Sequence, residues 1–98
     1  MYHQTVNIVK EKHLGISDTW TALMCGSSNA LGRKYLTILN RGTVKVFFTA
    51  DSDNKEEGSC RVLAPADTII LPYSDKVTVY AKTAGTVGTK LVITEEIG

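Results

Sequence analysis

Cysteine is scarce in this sequence of 98 residues, which contains two, Cys25 and Cys60. Two cysteines are too few for a structural zinc site, and neither His3 nor His13 stands at ligand spacing from them or from the other histidine. We therefore expect no metal site and no cofactor. In a reducing compartment both cysteines are expected to be free thiols.

An excess of charge of one sign is also lacking. Lysine and arginine number 11 against 10 aspartates and glutamates, a formal net charge of +1. This balance argues against strong non-specific binding to nucleic acid or to an anionic membrane. Apolar runs extend for a few residues only, so no membrane span is expected. The start, MYHQTVNIVKEK, has no signal-peptide pattern, which predicts a protein made in the cytosol.

No segment repeats apolar residues at helical spacing over the length of a helix. Alternation with a period of two instead predicts strands at residues 5–9, 19–25, 33–40, 43–50, 59–64, 68–71, 76–82 and 89–95. We predict an all-β protein, a single-domain β-sandwich of about eight short antiparallel strands over residues 1–98. Two sheets are required because each apolar face needs a cover.

The predicted core consists of apolar residues that share one face of their strand. They are Val6, Ile8, Trp20, Leu36, Ile38, Val44, Val46, Phe48, Val62, Ile69, Leu71, Val77, Val79, Leu91 and Ile93.

The clearest local unit is the sequence RKYLTILNRGTVKVFFTA at residues 33–50. Two alternating apolar segments flank Asn40-Arg41-Gly42, which is typical of a turn, and Gly42 is free to adopt a positive φ. We predict a β-hairpin here, with Val44, Val46 and Phe48 facing the core. Phe47 then lies on the opposite, more polar face, where it would cover a small cluster or an interface.

Catalytic patterns are weak in this chain. A cysteine nucleophile with a histidine base could pair Cys25 with His13, or Cys60 with His3, but neither pair has a local motif or a third orienting group. The carboxylates are concentrated in residues 51–58 and in the tail, and do not flank a predicted cleft. We interpret the protein as non-enzymatic.

The acidic segment DSDNKEEG at residues 51–58 matches a calcium-binding loop only in part. Asp51 and Asp53 fit the first two oxygen ligands, but Lys55 occupies the position of the next one. The glycine and the closing glutamate of such loops are missing. We predict a solvated loop without a specific calcium site.

Three segments carry a resemblance to known proteins. The runs RKYLTILNRGTVKVFF, APADTIILP and VTVYAKTAGTVGTKLVITE resemble small virion proteins of tailed bacteriophages. The shared pattern is an Arg-Tyr/Leu-x-x-Ile-x-Asn strand and turn, a Val-x-Val/Phe strand and a closing Val-x-Val/Ile-Thr-Glu strand. The likeness covers residues 31–96. This chain has Ala66-Asp67 in place of the glycine common before the central strand.

The resemblance implies a jelly-roll-like β-sandwich and a role in the virion, after synthesis in the bacterial host cytoplasm. The first expectation is a capsid decoration protein that acts as a trimer and whose partner is the major capsid protein or another virion protein. A head-fibre, tail or baseplate accessory protein is the alternative within this class. Expected interface residues come from the first strand, the loop at 26–32 and outward strand faces: Tyr2, His3, Asn29, Phe47 and Tyr80.

A binding module for carbohydrate or nucleic acid is the alternative from a different class. Aromatic residues interleave with lysines on predicted outward faces, as in proteins that bind single-stranded nucleic acid: Tyr35, Phe47 and Tyr80 with Lys34, Lys45, Lys76 and Lys82. The near-neutral net charge argues against nucleic acid. An aromatic content of 7% leaves few rings for a carbohydrate site.

Overall fold

The computed structural model describes residues 8–51, 53, 55–56 and 60–98 and contains eight strands. They are β1 (Ile8–Ile16), β2 (Thr21–Ala22), β3 (Arg33–Asn40), β4 (Val46–Thr49), β5 (Arg61–Leu63), β6 (Thr68–Leu71), β7 (Tyr80–Thr83) and β8 (Thr89–Ile97). Each predicted strand has an observed counterpart. β1 extends to Ile16, well beyond the strand predicted at residues 5–9, whereas β2 keeps only two residues of the strand predicted at residues 19–25. The described residues form no helix, so the all-β prediction is confirmed.

The strand order is that of a jelly roll. One sheet has the order β1-β8-β3-β6 and the other β2-β7-β4-β5. The chain pairs as one long antiparallel hairpin whose turn lies between β4 and β5. Its pairs are β1·β8, β2·β7, β3·β6 and β4·β5. This hairpin is rolled up into two facing sheets. The predicted jelly-roll-like β-sandwich is therefore what the chain forms.

The two inner sheet faces supply the hydrophobic core. Its buried members are Ile16, Leu23, Leu36, Ile38, Val46, Phe48, Leu63, Leu71, Val79, Ala81, Leu91 and Ile93. The core predicted for β3, β4 and β8 is confirmed, because alternation there runs through strands covered on one face. The predicted core residues Leu71 and Val79 are buried as well. Four further predicted residues are half-buried: Trp20, Val44, Ile69 and Val77. Val6 lies outside the described residues.

Two predicted core residues are exposed instead. Ile8 is 52% exposed because it begins β1, an edge strand that is exposed along most of its length. Val62 is 51% exposed because it stands opposite Phe47 on the outer face of the second sheet, and Leu63 takes the inner position. The predicted inward face of this strand is therefore wrong, since apolar side chains occupy both of its faces.

The predicted hairpin at residues 33–50 is wrong in its pairing. β3 and β4 belong to different sheets, so the segment between them crosses from one layer of the sandwich to the other. Asn40 directs this crossing, since its buried amide donates to the carbonyls of Val44 (2.9 Å) and Leu63 (3.2 Å). Its Oδ1 accepts the hydroxyl of Thr89 at 2.8 Å. These bonds join β3, β5 and β8, and therefore hold the two sheets together at this end.

Gly42 is required for close packing and not for a positive φ. A Cβ at this position would overlap Oγ1 of Thr89 and lie 2.9 Å from its Cα, which no side chain tolerates. The left-handed glycine of the described residues is Gly32, with φ of 78°. The turn at Asn40-Arg41-Gly42 therefore depends on glycine because β8 lies directly against it.

Ala66 adopts a left-handed backbone conformation with φ of 70°. It follows Pro65 in a turn closed by a hydrogen bond from the Asp67 N–H to the Ala64 carbonyl at 3.1 Å. Proline at the second position and positive φ at the third define a type II turn, in which glycine is preferred at the third position. The alanine therefore holds a strained conformation at a turn position that favours glycine.

We predict that Ala66→Gly raises the free energy of unfolding by about 0.5–1 kcal/mol, because relief of left-handed strain exceeds the added flexibility of the unfolded chain. Urea denaturation followed by tryptophan fluorescence measures this change. Ala64→Gly is the matched control, and it should destabilise the protein slightly, since Ala64 has no positive φ. A loss of stability in Ala66→Gly would contradict the prediction.

Candidate binding surfaces

The most highly connected polar group of the structure is the guanidinium of Arg33, which is 2% exposed. Its Nε donates to the Tyr73 carbonyl, and its Nη2 donates to the carbonyls of Ser74 (2.9 Å) and Val77 (2.6 Å). The remaining nitrogen donates to Asn29 Oδ1 at 3.3 Å and to Glu95 Oε2 at 3.0 Å. All five N–H groups of the side chain therefore have acceptors.

Glu95 is the charged partner of Arg33 and is fully buried on β8. Its two oxygens also accept backbone N–H groups, from Cys25 to Oε1 and from Ala30 to Oε2, each at 2.8 Å. Burial by itself raises the pKa of a carboxyl group. The hydrogen bonds from Ala30, Cys25 and Arg33 outweigh that effect and lower the pKa of Glu95 below its ordinary value of 4.5. The carboxylate is therefore charged at neutral pH.

The loop at residues 26–32 is held by this ion pair. Asn29 Nδ2 donates to the carbonyls of Asp75 (3.1 Å) and Val77 (3.3 Å) and to the Thr78 hydroxyl (3.0 Å). The side chain of Asn29 thus faces the neighbouring loop, and its role at an interface stays a prediction. Among the exposed residues of the loop, Leu31 is a large apolar one and is 89% exposed.

Cys25 lies beside Glu95, and burial together with the nearby carboxylate raises the pKa of its thiol from 9.0 to about 11. The Sγ atom lies 3.4 Å from the Lys10 carbonyl. A thiol with this pKa is protonated at neutral pH and is a poor nucleophile. His13 lies on β1 with an exposed side chain, and its Nε2 is 3.8 Å from Oε2 of Glu11. These surroundings do not favour a nucleophile built from Cys25 and His13.

Aromatic rings and lysines share the outer face of the second sheet. We call this surface, made of Trp20, Lys45, Phe47, Lys55, Val62, Tyr80 and Lys82, the ring–lysine face. Phe47 stands between Lys82 of β7 and Val62 of β5 in the strand register. Tyr80 stands between Ala22 of β2 and Thr49 of β4. Two predicted interface residues, Phe47 and Tyr80, therefore lie on one surface.

Lysine ammonium groups lie over the rings of this face. Lys45 is 5.4 Å from the ring centre of Phe47, and Lys82 is 5.9 Å from that of Trp20. Lys55 is closest, 3.9 Å from the ring centre of Tyr80. Cation–π attraction of this kind contributes about 0.5–1 kcal/mol at an exposed site. Phe47 is 8% exposed although it points away from the core.

A groove of about 480 Å³ lies where β1 and β3 end and β8 begins. Its lining includes Gly15, Gly42 and Gly88, and its charged residues are Arg41 and Lys90. Both charges are positive, so the groove suits an anionic group. No sequence pattern indicates this groove, because the residues that form it are brought together by the pairing of distant strands.

Several predicted site residues lie outside the described residues. They are Tyr2 and His3, and Ser52, Asn54, Glu57 and Gly58 of the segment considered for calcium. Among the described residues, no group of three or more histidine, cysteine, aspartate or glutamate side chains is arranged to hold a metal ion. The described part of the chain also contains no helix long and apolar enough to cross a membrane.

Comparison with protein-family models, curated proteins and solved structures found no significant match to this chain.

We predict that Glu95→Gln lowers the free energy of unfolding at pH 7 by about 3–5 kcal/mol, because it leaves the buried Arg33 charge without its partner. A glutamine also turns an amide donor toward the N–H of Cys25 or Ala30. Urea denaturation measures the loss. Glu96→Gln, one residue further along β8 and facing outward, is the control and should change stability by about 0.5 kcal/mol or less.

The same ion pair predicts a pH dependence. Because the pKa of Glu95 is lowered by folding, its stabilisation is fully present above the ordinary value of 4.5 and is lost as the pH falls through the folded-state pKa. Unfolding free energies measured between pH 7 and pH 2 should therefore fall more steeply in the wild-type protein than in Glu95→Gln. Equal slopes would show that Glu95 does not carry this linkage.

We predict that Cys25 reacts slowly with iodoacetamide. The measurement uses a Cys60→Ser variant at pH 8. The raised pKa makes the thiolate fraction of Cys25 about a hundredfold smaller than that of an ordinary thiol. Because a more basic thiolate is about tenfold more nucleophilic, the reaction rate should be about tenfold lower than that of an ordinary thiol. The rate should still rise between pH 9 and pH 10. The same variant in urea is the control, and an equally fast reaction of the folded protein would refute the raised pKa.

Proposed function

We propose that this chain is a non-enzymatic structural protein of a tailed-phage particle, most specifically a decoration protein that binds and stabilises the outer surface of the capsid. It would be made in the host cytoplasm and act in the virion, with the major capsid protein as its partner. A head-fibre, tail or baseplate accessory protein is the second candidate of this class.

The proposal is supported by three polar residues in the segments that resemble virion proteins. Arg33 and Asn40 belong to the first strand of these segments and Glu95 ends the last, and all three are buried in the jelly roll with their polar side-chain atoms satisfied. The likeness therefore includes residues that fix this fold, in addition to strand alternation, which any β-sandwich shares. That supports a relationship in architecture, from which the virion role is inferred.

The physical properties of the chain agree with a particle-bound role. A domain of 98 residues buries only about 65% of the surface that its unfolded chain exposes, so it gains much from association. A trimer on a symmetry axis of a capsid would provide that association. Apolar side chains available for it include Ile8, Val9, Leu31 and Ile70, each more than half exposed.

The ring–lysine face favours one candidate of a different class, a small module that binds carbohydrate or nucleic acid. Three rings on the outer face of one sheet, each next to a lysine, are a known means of holding a sugar or a base. The lysines that lie over the rings reduce the area available for stacking. We therefore rank this candidate second.

The proposal predicts that the protein is present in purified phage particles. Mass spectrometry of gradient-purified particles from the strain that carries the gene should detect the chain in a fixed ratio to the major capsid protein. Particles made without the gene should rupture at a lower temperature than complete particles. Light scattering of the isolated protein should give the mass of a trimer. A monomer that is absent from particles and that binds a glycan array or an oligonucleotide would overturn the proposal.

A further inference from the structure

We propose that the ring–lysine face is the docking surface of this protein and that it binds an acidic, partly apolar surface of another protein of the particle. This inference rests on the proposed function, and it names the surface and the chemistry of the partner.

The strands of the second sheet carry no carboxylate. The strand carboxylates Glu11, Glu95 and Glu96 all belong to the first sheet, which carries lysines and an arginine as well. Lys82 of β7 lies on the ring–lysine face next to Phe47, whereas Arg61 stands opposite Phe48 on the inner side of β5. Lys45 and Lys55 add two ammonium groups to the second sheet from its flanking segments. Described carboxylates near this sheet lie in loops, at Asp18, Asp51, Asp53 and Glu56. The centre of the face is therefore cationic and complements an acidic partner.

The apolar part of the face lies between the lysines. Val62 is 51% exposed beside Phe47, and Trp20 and Tyr80 are half-buried. Aromatic residues with a polar rim are the usual composition of a protein interface, because the rings supply contact area and the rim supplies orientation. The partner surface should accordingly place apolar side chains against Val62 and Trp20 and carboxylates against the lysines.

The rings are arranged for carboxylates more than for stacked bases. The Lys55 ammonium lies 3.9 Å from the ring centre of Tyr80, and Phe47 is 8% exposed, so neither ring offers an open face to a base. An ammonium over a ring still has N–H donors for a carboxylate. The net charge of +1 also provides little long-range attraction for nucleic acid.

The test measures binding to particles produced with the gene for this chain deleted. Wild-type protein, the double variant Lys45→Glu/Lys55→Glu and the control Lys10→Glu/Lys12→Glu are titrated and sedimented with the particles. The control makes the same charge change at two exposed positions of β1, in the first sheet. We expect binding about a hundredfold weaker for the first variant and within about threefold of wild type for the control. Melting temperatures verify that each variant is folded.

A second variant and a crosslinking measurement keep the test independent of folding defects. Lys45→Ser/Lys55→Ser should weaken binding about tenfold, since it removes two attractions without adding repulsion. A carbodiimide joins lysine amines to carboxylates in direct contact, so it should link Lys45 or Lys55 of the wild-type protein to the partner. Crosslinks confined to lysines of the first sheet would overturn the docking surface.

The outcomes separate this inference from the proposed function. If wild-type protein does not bind the particles, the proposed function fails and the inference fails with it. If wild type and all variants bind equally, the chain belongs to the particle but docks through another surface. If wild type binds a 20-nucleotide oligothymidine at physiological salt, and Lys45→Glu/Lys55→Glu does not, the face serves nucleic acid and the protein partner is refuted.

Discussion

The buried ion pair between Arg33 and Glu95 is the interaction on which the rest of this structure depends. It joins the beginning of β3 to the end of β8 and gathers the loops at 26–32 and 72–79 around it. Removing two charges from water costs several kcal/mol for each ion, and the attraction compensates only when every other donor and acceptor is also satisfied. The five donors of Arg33 and both oxygens of Glu95 meet that condition. The pair therefore specifies one arrangement of these segments, because any other would leave a buried charge without partners.

Asn40 performs the corresponding task at the other end of β3. Its side chain joins the two sheets, while its backbone bonds with Ala66 and Asp67 fix the turn before β6. Gly42 lets β8 lie directly against this corner. The fold is thus held by a central apolar core between two polar corners, and both corners lie on β3. Each corner closes a place where the chain passes between sheets, where no continuous strand ladder is available to satisfy the backbone.

Because the polar contacts that stabilise the fold are internal, the outer sheet faces are not needed to hold it together. The ring–lysine face has no part in the core, and its lysine ammonium groups lie over the rings. The loop at 26–32, in contrast, uses Asn29 internally and presents Leu31 to solvent. A jelly roll of this kind can bind a partner through a preformed strand face, with little conformational change on binding. The residues that stabilise the fold are therefore different from the residues that form the binding surface.

Alternation of apolar residues in the sequence determined the all-β class, the eight strands and the core of β3, β4 and β8, because one covered face imposes a period of two. It even gave the bounds of β3 and β6. It could not decide which strands pair, since β3 and β4 show the same pattern whether they form a hairpin or cross between sheets. Nor did it show that Arg33 points inward. A register shift between Arg33 and Tyr35 places Arg33 on the same side as Leu36, against strict alternation. Glu95 comes within reach only when β8 pairs with β3, so the charges that secure the fold acquire their role from tertiary structure.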